Sequence, residues 1–345
     1  MTEGFLEVDV EGDAFQRGVM HGNAVREYIL PFHGTGILAF RDHSRVRRAM
    51  AQSLGYMREA FPDLVEELKG IAQGAEMAFD DIVLLNNRRL FSALEPLACS
   101  NLALSATEPG PALVGTVDGG AGDIAGPLIV QRFQPDSGCR MIGTVLPGTV
   151  WLEKGVNEHG LAVGNSAVVV SDSRPVGVAF HTVYRQALLC CRTTEEAMTF
   201  LQRHHQNAHG IVLLLVDGDG ALSCLEKSPT RSARVAAENP WVASANTFRT
   251  AEMRPLEVAS CEKQAESERR YQTLDILAAQ CASSATLDDL TACVRYHGEP
   301  ASICRHGGRD LSHTRESYVL LPAQRAMYVG TRGYACRAEM HRFDL

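Results

Sequence analysis

The sequence predicts a layered α+β fold, and three observations carry that prediction. Helical patterning fills roughly the first hundred residues. Short β-like runs begin abruptly near Ala98-Cys99. The rest of the chain alternates blocks of strands with blocks of helices, which suits sheets covered by helices and not strict βαβ alternation. With 345 residues and 45% apolar content, the chain can bury one large core or two smaller ones.

The elements follow in order. Gly18 and Gly22 lie four apart in FQRGVMHGNAVREYI, the spacing of a helix with a close-packed face. Residues 44–60 and 62–77 carry apolar side chains at helical spacing, and the second segment opens on Pro62-Asp63, a favourable helix start. Residues 80–90 add a short helix. Residues 101–105, 112–117, 128–133, 139–145, 150–156 and 160–170 then read as strands punctuated by Gly, Pro, Asp and Ser. Helices follow over 180–191 and 194–205, with Thr193 and Glu196 in a capping-box pattern. IVLLLV, DGDG and ALSCLE predict a hairpin. Residues 267–280 and 286–297 read as helices, and 318–321, 325–329 and 337–343 as closing strands.

Charge narrows the function. The formal net charge is −8, and no basic stripe suits nucleic acid; RDHSRVRR at 41–48 reads as a solvated helix start. The longest apolar stretch, 211–216, is far too short to cross a bilayer. MTEGFLEVDVEGDAF lacks the basic start and apolar run of a secretory signal, so the reading expects a cytoplasmic protein. Most of its ten cysteines should then be reduced and buried, acting as small hydrophobes.

Cys99 stands out among them. It sits where the helical part ends and a strand begins, so its side chain projects from the end of a sheet. Asp118 lies one hairpin away in GTVDGG, and Asn246 follows an apolar strand in VASANTF. A thiol, a carboxylate and an amide at one sheet end are a nucleophile, an orienting acid and an oxyanion donor. No histidine stands in a motif relative to Cys99. If Cys99 becomes a chain terminus, its own α-amine, with an unperturbed pKa of about 7.7–8.0, serves as the base. The chemistry therefore requires cleavage at Ala98-Cys99.

Segments in the same order along nearly the whole chain carry a resemblance: GDAFQRGVMHGNAVREYI, ACSNLALS, ALVGTVDGG, NEHGLAVGNSAV, HTVYRQALLCCRTTEEAMTFL, LLLVDGDGALSCLEKSP, SANTF, SERRYQTL, PASICRH and YVGTRGYACRAEMHRF. Together they resemble the penicillin acyltransferase group of cysteine N-terminal-nucleophile hydrolases, which includes the acyl-coenzyme A:6-aminopenicillanate acyltransferases. The resemblance implies a four-layer αββα sandwich made as an inactive zymogen. It implies autocatalytic cleavage into residues 1–98 and 99–345, chains of 98 and 345 − 98 = 247 residues within one domain. It makes Cys99 the nucleophile, its freed amine the base, Asp118 the group that orients the amine or thiol during processing, and Asn246 the oxyanion donor. Asn165 lines the same pocket, and Arg315 is the arginine near the C-terminal strands that serves such sites. The chain departs from the family at Ala98, where glycine is usual, and at Gly119, where an aromatic residue is common. Gly119 removes a wall from the acyl pocket and points away from penicillin-type substrates.

Other features read more plainly. Cys293, His297, Cys304 and His306 form C-x3-H-x6-C-x-H, which fits no standard zinc spacing, so the reading assigns no metal and treats the histidines as loop and surface residues. A zinc hydrolase, a third reading, predicts stoichiometric metal in the purified protein. Cys190-Cys191 reads as core packing, and His204, His205 and His209 as a helix end near the favourable dipole pole. GGAGD after Asp118 lacks the ending of a phosphate loop. Arg269-Arg270 reads as a solvated helix face. The resulting expectation is a cysteine amidohydrolase acting on a small linear N-acyl amide through an acyl-enzyme, with no cofactor and with the oligomeric state open to a homo-oligomer. Two alternatives stand beside it: an acyltransferase passing the group from an acyl-CoA or amide to an amine, and an unprocessed, non-catalytic scaffold of the same fold, to which Ala98 and Gly119 lend support.

Overall fold

The chain opens with a strand, β1 (Phe5–Gly12), where the sequence reading placed only helix. The signal was present: Leu6, Val8 and Val10 alternate with Glu7, Asp9 and Glu11, and β1 lies parallel to β4 (Leu128–Pro135). The computed structural model describes residues 4–91, 98–119, 126–174, 176–281, 284–307, 312–331 and 333–345.

After β1 come α1 (Ala14–His33), α2 (Ser44–Ala60), α3 (Pro62–Ala75) and α4 (Phe79–Asn86). The face predicted at Gly18 and Gly22 packs on α3. A Cβ on Gly18 would sit 2.1 Å from the Glu67 carbonyl oxygen, and one on Gly70 would sit 2.1 Å from that of Phe15. The two helices therefore cross backbone to backbone, a contact only glycine permits.

The strands that follow are β2 (Ala98–Leu104), β3 (Ala112–Gly119), β4, β5 (Met141–Val145), β6 (Leu152–Asn157) and β7 (Ala162–Val168). Next are α5 (Phe180–Cys190), α6 (Thr194–Arg203), the hairpin β8 (Gly210–Val216) and β9 (Leu222–Lys227), β10 (Ser232–Val235) and β11 (Trp241–Ser244). The chain closes with α7 (Cys261–Cys281), α8 (Leu287–Arg295), β12 (His313–Leu321), β13 (Ala326–Thr331) and β14 (His341–Asp344). Thr193 caps α6 by accepting from the Glu196 backbone, but the box stays half-closed because the Glu196 carboxylate takes the Arg192 N–H instead.

Among the described residues the strands form two sheets, one of eight in the order β1-β4-β5-β6-β7-β8-β9-β10 and one of six in the order β11-β2-β3-β12-β13-β14. Three apolar layers hold them. Leu68, Ile71, Leu84 and Leu188 pack helices on the outer face of the larger sheet. Val130, Leu113, Val156 and Leu320 meet between the sheets. Leu102, Val114, Leu274 and Leu290 pack α7 and α8 on the smaller sheet. The result is a four-layer αββα sandwich. Among the described residues, no helix is long and apolar enough to cross a membrane.

Candidate functional site

The expected hairpin forms. β2 and β3 pair antiparallel with Ala98 opposite Asp118 and Cys99 opposite Val117, and β12 continues the sheet with Thr314 opposite Asp118. On the other side β11 pairs with β2 through Ser244 and Asn101, and Asn246 follows two residues later. Cys99, Asp118 and Asn246 thus share one end of the six-stranded sheet.

Cys99 and Asn246 touch directly. The Cys99 backbone N–H donates to Asn246 Oδ1 at 2.8 Å. Arg270 Nη2 donates to the same oxygen at 3.0 Å, while Asn246 Nδ2 donates to the Ala167 carbonyl at 2.8 Å. These three partners fix which way the amide points. It presents its acceptor to the cysteine nitrogen and its donor to Ala167.

Arg270 corrects the sequence reading. Arg269 is exposed, but Arg270 is 1% exposed. Its Nη1 donates to the Cys99 carbonyl oxygen at 2.7 Å and to Ser100 Oγ at 3.1 Å. The signal lay in the helical stripe it shares with Ser267, Leu274, Leu277 and Ala278, all of them buried.

Asp118 is fully buried. Its Oδ1 accepts from Thr314 Oγ1 at 2.7 Å, and its Oδ2 lies 3.9 Å from Arg305 Nε. Arg305, itself 1% exposed, also pairs with Glu266, which accepts from Arg270 Nε at 3.2 Å. Burial pushes the Asp118 carboxyl up to about 6, against the pull of Arg305 and Arg270. Burial, and then the Asp118 charge, push the Cys99 thiol up to about 12. In the uncut chain that thiol is protonated at neutral pH.

Asn165 stands on β7 with its amide engaged: Nδ2 donates to the Glu153 carbonyl and to Tyr184 Oη, each at 2.9 Å. Its neighbour Ser166 reaches the Cys99 carbonyl at 3.4 Å, and buried Asn101 ties Asn165, Ser166 and Ser244 together. Arg315 is the extra residue at a bulge in β12, and its guanidinium lies against Gly119. The glycine that departs from the family pattern is therefore the residue that makes room for Arg315. The GAGD segment after Gly119 lies outside the described residues.

Sequence reasoning missed Arg270, Arg305, Thr314, Ser166 and Asn101. The structure does not bring the whole C-x3-H-x6-C-x-H set together. Cys293 Sγ lies 3.3 Å from Cys281 Sγ and belongs to the α7–α8 core. Cys336 takes its place beside His297, Cys304 and His306. The vicinal pair is split, with Cys191 buried and Cys190 exposed.

Residues 135–329 match the sequence profile of the family described as acyl-coenzyme A:6-aminopenicillanic acid acyl-transferase. The chain is similar to the 40 kDa form of acyl-coenzyme A:6-aminopenicillanic-acid-acyltransferase from Emericella nidulans, 26% identical over 193 residues. That match covers 53% of each, so the chain spans about half the length of this relative. Its fold is similar to that of a mutant conjugated bile acid hydrolase from Clostridium perfringens, with a TM-score of 0.50 and 10% identity over 72% of this chain and 92% of that one. Penicillin V acylase from Agrobacterium tumefaciens gives a TM-score of 0.46 and 14% identity over 72% and 86% of the two chains.

Proposed function

Because the chain belongs to the acyl-coenzyme A:6-aminopenicillanic acid acyl-transferase family, we propose that it is made as a zymogen, cuts itself between Ala98 and Cys99, and then works in the cytoplasm as a cysteine amidohydrolase on small linear N-acyl amides. One observation carries this reading: residue 99 is gripped at both ends. Asn246 Oδ1 accepts from its nitrogen and Arg270 Nη1 donates to its carbonyl. Cleavage turns that nitrogen into the α-amine, so Asn246 already holds the group that must act as base.

In the precursor, Cys99 Sγ adds to the Ala98 carbonyl carbon. Asp118, paired with Ala98 across the strands, takes the thiol proton and passes it to the departing Cys99 nitrogen. The C–N bond breaks and leaves a thioester, which water hydrolyses to the Ala98 carboxylate and a free thiol. In turnover the α-amine takes the thiol proton, and sulfur adds to the substrate carbonyl. The oxyanion accepts from the second Nδ2 hydrogen of Asn246, the first being spent on Ala167. The α-ammonium returns its proton to the leaving amine. Water, deprotonated by the α-amine, then releases the acid. In this reading Asn165 and Arg315 flank the site. An amine in place of water makes the same acyl-enzyme an acyltransferase, in keeping with the family's description.

Intact-mass analysis of wild type and Cys99→Ala tests the reading. The wild type is expected as pieces of 98 and 247 residues, and Cys99→Ala as one chain of 37.5 kDa. A wild type that stays whole, with Cys99→Ala keeping full activity on a panel of N-acyl amides, overturns it. A wild type that stays whole and inactive identifies the scaffold.

A further inference from the structure

Away from this site, four metal-ligating side chains from separate segments converge. His297 follows α8, Cys304 and His306 stand on the approach to β12, and Cys336 lies between β13 and β14. One ligand atom of each lies within 4.8 Å of all the others. His306 Nε2 is 3.5 Å from Cys304 Sγ and 3.4 Å from Cys336 Sγ. A tetrahedral zinc with Zn–S of about 2.3 Å and Zn–N of about 2.0–2.1 Å holds its sulfur and nitrogen ligands about 3.6 Å apart. One imidazole nitrogen carries one proton or one lone pair and here meets two sulfurs, so it cannot make a full two-centre hydrogen bond to each.

The surroundings suit an ion. The His297 and His306 rings stand at 89° with centroids 4.8 Å apart, so a nitrogen of each can point at one centre. Tyr334 stacks on His306 at 3.8 Å and 12° and fixes the ring's orientation. The Cys336 backbone N–H donates to Cys304 Sγ at 3.4 Å, a contact that supports a thiolate. Cys304 is buried while both imidazoles are exposed, which leaves a path from solvent.

We propose that His297, Cys304, His306 and Cys336 bind one structural zinc ion. Two neutral imidazoles and two thiolates complete its shell, and binding releases the two thiol protons. The ion's place in the fold gives it a task. Arg305 lies between two of the ligands. Its backbone N–H donates to Thr314 Oγ1 at 2.8 Å and its carbonyl accepts from the Thr314 N–H at 2.9 Å. Thr314 in turn holds Asp118. Zinc would pin the segment that positions the buried carboxylate.

The test uses the full-length protein, stripped with a chelator under reducing conditions and titrated with zinc and then with cobalt(II). One metal per chain is expected, with the visible bands of tetrahedral cobalt and a thiolate-to-cobalt charge-transfer band. Cys336→Ser and His297→Ala, both at accessible positions, should each weaken binding by at least about tenfold, while Cys190→Ser leaves it unchanged. Should a variant misfold, the wild-type titration decides by itself. Failure of stripped wild type to take up either metal overturns the proposal. So does unchanged affinity in the two ligand variants, or a stable Cys304–Cys336 disulfide seen as a loss of two hydrogens in the protein as isolated.

Discussion

Arg270 Nη1 donates to the carbonyl oxygen of Cys99 at 2.7 Å from a position only 1% exposed. Its other terminal nitrogen donates to Asn246, so one guanidinium fixes both residue 99 and the amide facing it. A lysine cannot reproduce that fork. Arg270→Lys is expected to slow self-cleavage by roughly 10²-fold. Arg270→Met should in addition destabilise the chain by about 3 kcal/mol, at the low end for breaking a buried pair because Glu266 keeps Arg305. A denaturing-gel time course and thermal melts read both effects. Wild-type cleavage in the lysine variant would remove Arg270 from the site.

Asn246 faces Cys99 with an acceptor and Ala167 with a donor, and the two functions can be separated. Asn246→Asp keeps an oxygen for the residue-99 nitrogen and loses the amide hydrogens. It should still cut itself, while kcat falls about 10²–10³-fold for want of an oxyanion donor. Asn246→Leu keeps neither function and should fail at both steps. Equal losses in cleavage and turnover for the aspartate variant would contradict this division.

The Asp118 carboxyl titrates near 6 in the folded chain against an ordinary 3.8. Below 3.8 it is protonated whether folded or unfolded and contributes nothing to the pH dependence. Between the two values the folded form keeps a proton that the unfolded form has lost, so stability falls as pH rises and levels off above about 6. The full drop is on the order of 3 kcal/mol. Urea unfolding of Cys99→Ala, which is expected to stay uncut, should show this decline from about pH 4 to 6, and adding Asp118→Asn should flatten it. Self-cleavage in the wild type should quicken over the same interval as the carboxylate becomes able to accept the thiol proton.

What the sequence allowed one to read was what local pattern controls. The Cys99–Asp118 hairpin follows from two β-runs and a turn, and the α1–α3 crossing from glycines four apart. The alternation of β1 and the stripe carrying Arg270 are equally local, but both carry charged residues, which read as solvent-facing. Arg305 is different. Its burial depends on Glu266 and Asp118, which arrive from α7 and β3, and nothing in PASICRH marks it. The same holds for Cys336, which lies 30 residues from His306 and joins the cluster only through the packing of β13 beside β12. Spacing rules drew in Cys293 because it lies one helical turn from His297, whereas the α7–α8 packing turns it toward Cys281.

Gly119 and Arg315 give a prediction in which two sequence features that looked unrelated become one. A Cβ on Gly119 would sit 2.5 Å from Arg315 Cζ and 2.6 Å from its Nε. The obstacle is the far end of a flexible side chain, so Gly119→Ala should displace the guanidinium and leave the strand intact, with stability changed by less than about 1 kcal/mol. If Arg315 serves the proposed site, turnover of N-acyl amides should then fall. Arg315→Ala should produce the same loss. The double variant should be no worse than either single change, because both remove the same cation from the same place. Additive losses in kcat/KM would show that Gly119 serves the site in some way other than by making room for Arg315.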